Sequence, residues 1–272
     1  MPDQGSPYND LMSQNHIMSQ DHIPHASKSV AQTLQNRVTI RKFVGKPVSE
    51  EMLSTILGAA RRSPTSSNMQ TYSLIVVKNP QTKAKLAELA GGQQHVETCP
   101  VFVAFCADIY RLREACKLHG VEMKNSLELT LVSTVDASLV GQSAQTVAES
   151  LGLGVVMIGG VRNHPAEVAE LLGLPKGVYV VYGMCLGWPD PEAVPPQKPR
   201  LPKELVIHEE TYQTGGLDEV IKEHDAELAK HYENLGRNLD AAAWSGPIAK
   251  RLQTRARPEL RATLEDLSFS FE

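Results

Sequence analysis

Four short segments of this chain combine cations, hydroxyls or glycines with turn chemistry, the residue types suited to gripping a polar ligand. The first is Arg37-Val38-Thr39-Ile40-Arg41. If it is extended, alternate side chains share a side, and Arg37, Thr39 and Arg41 present two cations and a hydroxyl to a phosphate or another electron-rich group. An edge strand with solvated charges is the competing reading. The second, Ser63-Pro64-Thr65-Ser66-Ser67-Asn68-Met69-Gln70, is a polar turn whose hydroxyls and amides suit a sugar alcohol, or simply form a loop. In the third, Ile158-Gly159-Gly160-Val161-Arg162, missing side chains either admit a flat ligand to the backbone N–H groups or make a tight turn. The fourth is Lys198-Pro199-Arg200, where a proline stiffens the spacing of two cations that are otherwise a solvated pair.

Other chemistries lack their residues. The chain has no GxxxxGK[ST], GxSxG, HExxH or CxxC, which removes the footing for phosphate-loop, serine-hydrolase and zinc-protease readings. The glycines of LGLGVVMIGG follow a helical pattern and flank a strand, the reverse of a dinucleotide-binding fingerprint. Paired carboxylates in a shared apolar setting are missing too.

The segments sit between elements that periodicity predicts. Ser49 is a plausible N-cap for a helix that places Leu53, Ile56, Leu57 and Ala60 on one face. A strand over Tyr72 to Lys78, a helix to Ala90 and a strand over Val101 to Ala107 follow. From Val132 to Leu151 a buried central helix is expected, with Val140, Ala144, Val147 and Leu151 at helical spacing and small residues Ala137, Ser138, Gly141 and Ala148 admitting another helix. VVMIGG and Val178 to Leu186 read as buried strands around a short helix from Pro165 to Leu172. Six prolines make PDPEAVPPQKPRLP an extended connector, and polar helices with few core residues fill the rest from about Leu217.

At 272 residues and 42% hydrophobic the chain can bury a sizeable core. A net charge of −4, with 27 basic against 31 acidic side chains spread along it, offers no field for nucleic acid or an anionic membrane. Any basic site is therefore local. Cys99, Cys106, Cys116 and Cys185 are expected as reduced thiols, which favours the cytoplasm, and no signal peptide or membrane span is evident. Residues 1–26 are expected to form a mobile tail; docking of Leu11, Ile17, Met18 and Ile23 on a partner subunit is the alternative.

Taken together and in this order, the segments TIRKF, PTSSNMQ, GGQQHVE, VFVAFCAD, AESLGLGVVMIGGVRN, ELLGLPKGV, GMCLGWP and KPRLP resemble the nitroreductase family of flavoenzymes. The similarity is closest to its NADPH-dependent, oxygen-insensitive nitroreductases and flavin reductases, over about residues 36 to 212. The resemblance implies an α+β nitroreductase-like fold with a central mixed, mainly antiparallel sheet flanked by helices. It also implies an intertwined homodimer with FMN at its interface, residues 27–272 forming the FMN-binding domain and 203–272 a helical excursion from it.

By the same resemblance Arg37, Thr39, Lys198 and Arg200 grip the FMN phosphate, and Arg41 faces the N1/O2 edge of the ring. Ser66, Ser67 and Asn68 lie near the ribityl chain and ring, Gln93 contacts the pyrimidine edge, and Ile158 with the backbone of Gly159 and Gly160 meets the N5/O4 edge. Electrons pass in a ping-pong cycle from NADPH or NADH through flavin N5 to small acceptors such as nitroaromatics, quinones or free flavin, with no metal and no catalytic side chain. A flavin-sequestering protein with little turnover is the alternative. The chain departs from the pattern at Val38, where the family often has a second basic residue, and at Leu235 and Asp240, where its NADPH-phosphate region carries arginines. Arg237 is the nearest substitute, and Arg257 is expected on the nicotinamide or acceptor side.

Overall fold

The computed structural model describes residues 29–272, so the expected tail over 1–26 lies outside the described residues. The elements begin where capping side chains start them. Ser29 and Gln32 form a reciprocal capping box on α1 (Val30–Gln35), and Ser49 Oγ accepts from Met52 N–H at 3.2 Å to open α2 (Glu50–Ala60). Leu53, Ile56 and Ala60 are the buried stripe of α2, with Leu57 packed beside them.

Strands β1 (Tyr72–Val77), β2 (Val101–Asp108), β3 (Gly154–Ile158) and β4 (Val178–Gly187) form one sheet in the order β1-β2-β4-β3. All three ladders are antiparallel, so the mainly antiparallel expectation holds and no parallel pair occurs among the described residues. β2 is buried on both faces, and its alternation divides the core. Val103, Phe105 and Ala107 pack with α2 and the long α6 (Leu127–Ser150); Phe102, Ala104 and Cys106 pack with α3 (Pro80–Leu89) and α7 (Pro165–Leu171) on the other face. Short helices α4 (Gln94–Thr98) and α5 (Tyr110–Leu118) flank β2 in sequence. Cys99, Cys106 and Cys185 are buried and Cys116 partly so, and all four are free thiols.

The central helix begins five residues before the expected Val132, with Ser126 as its cap. As expected, another helix packs on it, α2, whose Leu53, Ile56 and Ala60 share a core with Ala137, Ala144 and Ala148, but Gly141 serves a different neighbour. A Cβ on Gly141 would overlap the Tyr182 hydroxyl of β4, so this glycine admits the sheet and not a second helix. Away from the core, Leu127, Leu131, Val135 and Leu139 form an exposed apolar stripe at every fourth residue. With Pro64, Thr65 and Ser66 the last three line a shallow apolar hollow.

The C-terminal part leaves the body and returns to it. α8 (Leu217–Glu233) buries His224, Asp225 and Leu228, and Asp225 pins the start of α9 (Ser245–Leu252) by accepting from Trp244 N–H at 2.6 Å and Ser245 N–H at 2.8 Å. Leu264 of α10 (Leu260–Asp266) and Phe269 beyond it enter the main core, and a Glu272 main-chain oxygen accepts from Leu127 N–H at 2.7 Å. No helix among the described residues is long and apolar enough to cross a membrane.

The first cation segment takes its position from the sheet. Ile40 N–H donates to Val155 O at 3.0 Å and the Ile40 side chain fills the space over Gly154, where any Cβ would lie 2.6–2.8 Å from it. Gly154→Ala therefore overpacks this contact. It should cost about 1–3 kcal/mol, or roughly 2–10 °C in Tm for a domain of this size, in a thermal unfolding scan. An unchanged Tm would show that Ile40 does not pack there.

Candidate functional site

Residues 37–41 are neither an edge strand nor a loop free of the body. A single backbone bond at Ile40 holds them extended beside β3, burying Ile40 and leaving Arg37, Thr39 and Arg41 on the other side. The proline-rich connector is brought alongside. Val44 N–H donates to Trp188 O and Asp190 N–H to Lys42 O, while Gln197 Nε2 donates to Gln35 O at 2.5 Å and Arg37 O at 3.3 Å. One cavity of about 420 Å³ results, lined by Arg37, Thr39, Arg41, Lys198 and Arg200 together with Val38 and Gln197.

Four cations and a hydroxyl thus meet from segments about 160 residues apart. Among the described residues no carboxylate lines this cavity, and Arg41, Lys198 and Arg200 have no salt-bridge partner. Arg37 differs. Its Nε lies 3.3 Å from Glu149 Oε1, and the Gln145 amide, turned with its carbonyl toward the guanidinium, accepts from Nη2 at 3.0 Å. Burial pushes the Glu149 carboxyl above the usual carboxylate range, and the Arg37 charge pulls it back.

A second group of expected residues gathers at the end of β3. Ile158 is buried, and Gly159 and Gly160 begin a single turn of 3₁₀ helix, Gly159–Arg162. A Cβ on Gly160 would overlap Ala90 O and Gln93 Nε2, so the absent side chain is what lets this backbone lie against Gln93. Gln93 is itself fixed by donating from Nε2 to Ala90 O at 2.7 Å. Arg257 arrives from the C-terminal part, donating to Asn163 Oδ1 at 2.9 Å and to Gly159 O at 3.2 Å. Burial and the charge of Arg257 lower the neighbouring Arg162 guanidinium from its ordinary value.

Ser66, Ser67 and Asn68 do not line the cation cavity of their own chain. They form a separate exposed turn against α6, beside the apolar stripe. Arg237 lies over the Tyr232 ring at 4.9 Å, and Lys198 sits over the same ring at 5.5 Å. Tyr232 therefore joins a cation of the cavity to the cation nearest the departed arginines. Sequence reasoning did not single out Glu149, Gln197, Tyr232 or His95. His95 follows Gln93 by two residues, its Nε2 is buried without a partner, and burial with the Arg41 charge lowers its ring below the usual imidazole range.

The family models decide the lineage. The Nitroreductase family matches residues 34–188, and the Nitroreductase family C-terminal domain matches residues 198–272. The chain belongs to the nitroreductase family. This nitroreductase-family protein is 38% identical over 247 residues to a Bacillus subtilis protein named FMN reductase [NAD(P)H], covering 89% of this chain and 98% of that one. It is 41% identical over 221 residues to the oxygen-insensitive NADPH nitroreductase of Salmonella typhimurium, covering 81% and 89%. Among solved structures, the NADPH:FMN oxidoreductase from Vibrio harveyi complexed with NAD+ superposes with a TM-score of 0.80 at 34% identity, covering 89% of this chain and 99% of that one.

If the cavity of the nitroreductase-family chain holds a phosphate, its exposed cations should matter more to the ligand than to the fold. Replacing both Lys198 and Arg200 by alanine should weaken FMN retention by roughly a hundredfold or more while costing about 1 kcal/mol or less in stability. Parallel flavin titration and thermal unfolding measure both; an equal loss of fold and flavin would make the pair structural.

Proposed function

We propose that this chain is an FMN-dependent oxidoreductase that passes electrons from NADPH or NADH to nitroaromatic, quinone or free-flavin acceptors. The observation that carries the reading is the convergence of Thr39, Lys198 and Arg200, with Arg37 and Arg41 beside them, on one cavity that no carboxylate of the described residues lines. A phosphate dianion is the group such a donor set fits, since charge-assisted hydrogen bonds to it are short and strong. The missing Gly160 side chain, in whose place Ala90 O and Gln93 Nε2 sit, brings Gln93 and the Gly159–Gly160 backbone together, where both can meet one edge of a flat ring.

FMN, when bound, supplies the redox chemistry, accepting a hydride equivalent from the reduced nicotinamide and delivering electrons to the acceptor. The protein's residues do the rest. Thr39, Lys198 and Arg200 hold the phosphate, and Arg37 lends its remaining N–H donors from the grip of Glu149. Arg41 places a cation where negative charge develops on the ring, while neutral His95 beside it adds no competing charge. Gln93 and the Gly159–Gly160 backbone orient the ring edge, and Arg257, held by Gly159 O and Asn163, stands on the nicotinamide or acceptor side.

A second copy of the chain completes this account. The exposed stripe Leu127, Leu131, Val135 and Leu139 is the face a homodimer would bury, and the adjoining turn Ser66–Asn68, which does not line its own cation cavity, would be carried toward the partner's. Residues 27–272 act as one FMN-binding unit with 203–272 as its excursion. Four free thiols are in keeping with the cytoplasm.

Donor choice is the finer expectation. NADPH carries a 2′-phosphate that NADH lacks, and this chain offers it Arg237 while Leu235 and Asp240 occupy positions of lost arginines. The B. subtilis relative is named for both donors, and the V. harveyi structure holds NAD+. Turnover with NADPH should exceed that with NADH only modestly, and Arg237→Ala should bring the two closer, by about tenfold if one charge-assisted contact is lost. kcat/KM for both donors decides it. A preference above roughly a thousandfold that Arg237→Ala leaves unchanged would place the phosphate elsewhere.

A further inference from the structure

Asp136 is a buried carboxylate, 1% exposed, on the inner side of α6, and the cation cavity does not use it. Three donors from one loop converge on it. Oδ1 accepts from Ser66 N–H at 3.2 Å, and Oδ2 accepts from Thr71 N–H at 3.1 Å and from Thr71 Oγ at 2.8 Å. Ser66 and Thr71 are the two ends of the turn that contains Ser67, Asn68 and Gln70. Those three residues are left-handed, with φ of 48°, 57° and 52°, although none is glycine.

Side-chain-bearing residues occupy that region reluctantly, and several in one turn persist only where the surroundings over-determine the backbone. The turn itself is exposed and makes little core contact, so its shape is not set by packing. One carboxylate that ties both ends supplies the constraint. Its two oxygens face opposite ends of the turn, and each accepts from a backbone N–H there, so both oxygens must be acceptors. Ser63 Oγ, 2.7 Å from Ser143 Oγ, and Arg111 Nη2, donating to Gln70 O at 3.0 Å, brace the same turn from outside.

We infer that Asp136 is a positioning residue for the flavin: it fixes the turn Ser66–Gln70 in the strained form that meets the cofactor, without touching the cofactor itself. The inference rests on the reading that this turn lies against the ribityl chain and ring. An asparagine at 136 keeps a single acceptor. It can serve one end of the turn only by setting its own N–H against a backbone N–H at the other, so Asp136→Asn releases one end while nearly preserving volume.

The test compares Asp136→Asn and Thr71→Val, which loses only the hydroxyl bond, with Val180→Ala, a core truncation in the cluster on the other face of the sheet. Amide hydrogen exchange of flavin-free protein over residues 65–72 should accelerate by about tenfold or more in Asp136→Asn, less in Thr71→Val, and not in Val180→Ala. In the FMN-loaded proteins, the visible circular dichroism of the flavin should change and the reduction rate by NADPH fall by a similar factor in the same order, with KM for NADPH within about twofold. Val180→Ala should lower Tm and leave the flavin spectrum alone.

An Asp136→Asn protein whose loop exchange and flavin spectrum match wild type, whatever its Tm, overturns the inference. If that variant does not fold, Thr71→Val decides by the same readouts. Asn68→Ala separates the two layers. Should it leave spectrum and kinetics unchanged, the turn does not meet the flavin and the inference falls with that reading; should it alter them while Asp136→Asn does not, only the role of Asp136 falls.

Discussion

Like charges repel, and this fold spends its local architecture on making four of them converge. Two unit charges about 8 Å apart repel by roughly 2 kcal/mol at an effective dielectric near 20, so a cluster of four cations is costly unless something holds or neutralises it. Two backbone bonds, Ile40 to Val155 and Asp190 to Lys42, and one from the Gln197 side chain to Arg37 O supply the holding. Glu149 supplies part of the neutralising, and it does so from behind the cavity, so the remaining charge faces the opening. A cofactor phosphate would relieve the rest. Binding and folding are coupled through that relief, since a ligand that binds only the folded chain stabilises it.

The helix behind the sheet links the parts. From its exposed outer stripe to its inward carboxylates, α6 presents apolar area at the surface, Asp136 to the turn Ser66–Thr71 and Glu149 to Arg37. Thirteen residues separate the two acids, about 20 Å along a helix at 1.5 Å per residue. Such a rigid element sets distances that loops alone would not keep. The C-terminal excursion adds Arg257 to the Gly159 turn and Tyr232 to the cations, then anchors its end on the start of the same helix.

Much of this was legible in the sequence because the signals were local. Ser49 before a helical stripe, the apolar run of VFVAFCAD and six prolines in the connector each predict their own backbone. The four candidate segments were found by residue type; the fold brings the first and fourth into one cavity, sets the third beside Gln93 and leaves the second as a separate turn. Partners far apart in the chain left no such signal. Glu149 lies 112 residues from Arg37 and Asp136 lies 65 from Thr71, and a lone acid in a helix resembles any solvated one until the fold buries it. The glycine at 141 misled for a similar reason, since a small residue announces a close neighbour but not whether that neighbour is a helix or Tyr182 of the sheet.

The central claim is that the cation cavity reads the phosphate of FMN. Flavin-free protein titrated with FMN and with riboflavin, which has the same ring and ribityl chain but no phosphate, tests it most directly. The account predicts that FMN binds about a hundredfold or more tighter, from two or more charge-assisted contacts, and that raising the salt narrows the gap. Equal affinity for the two flavins, unmoved by salt, would contradict it.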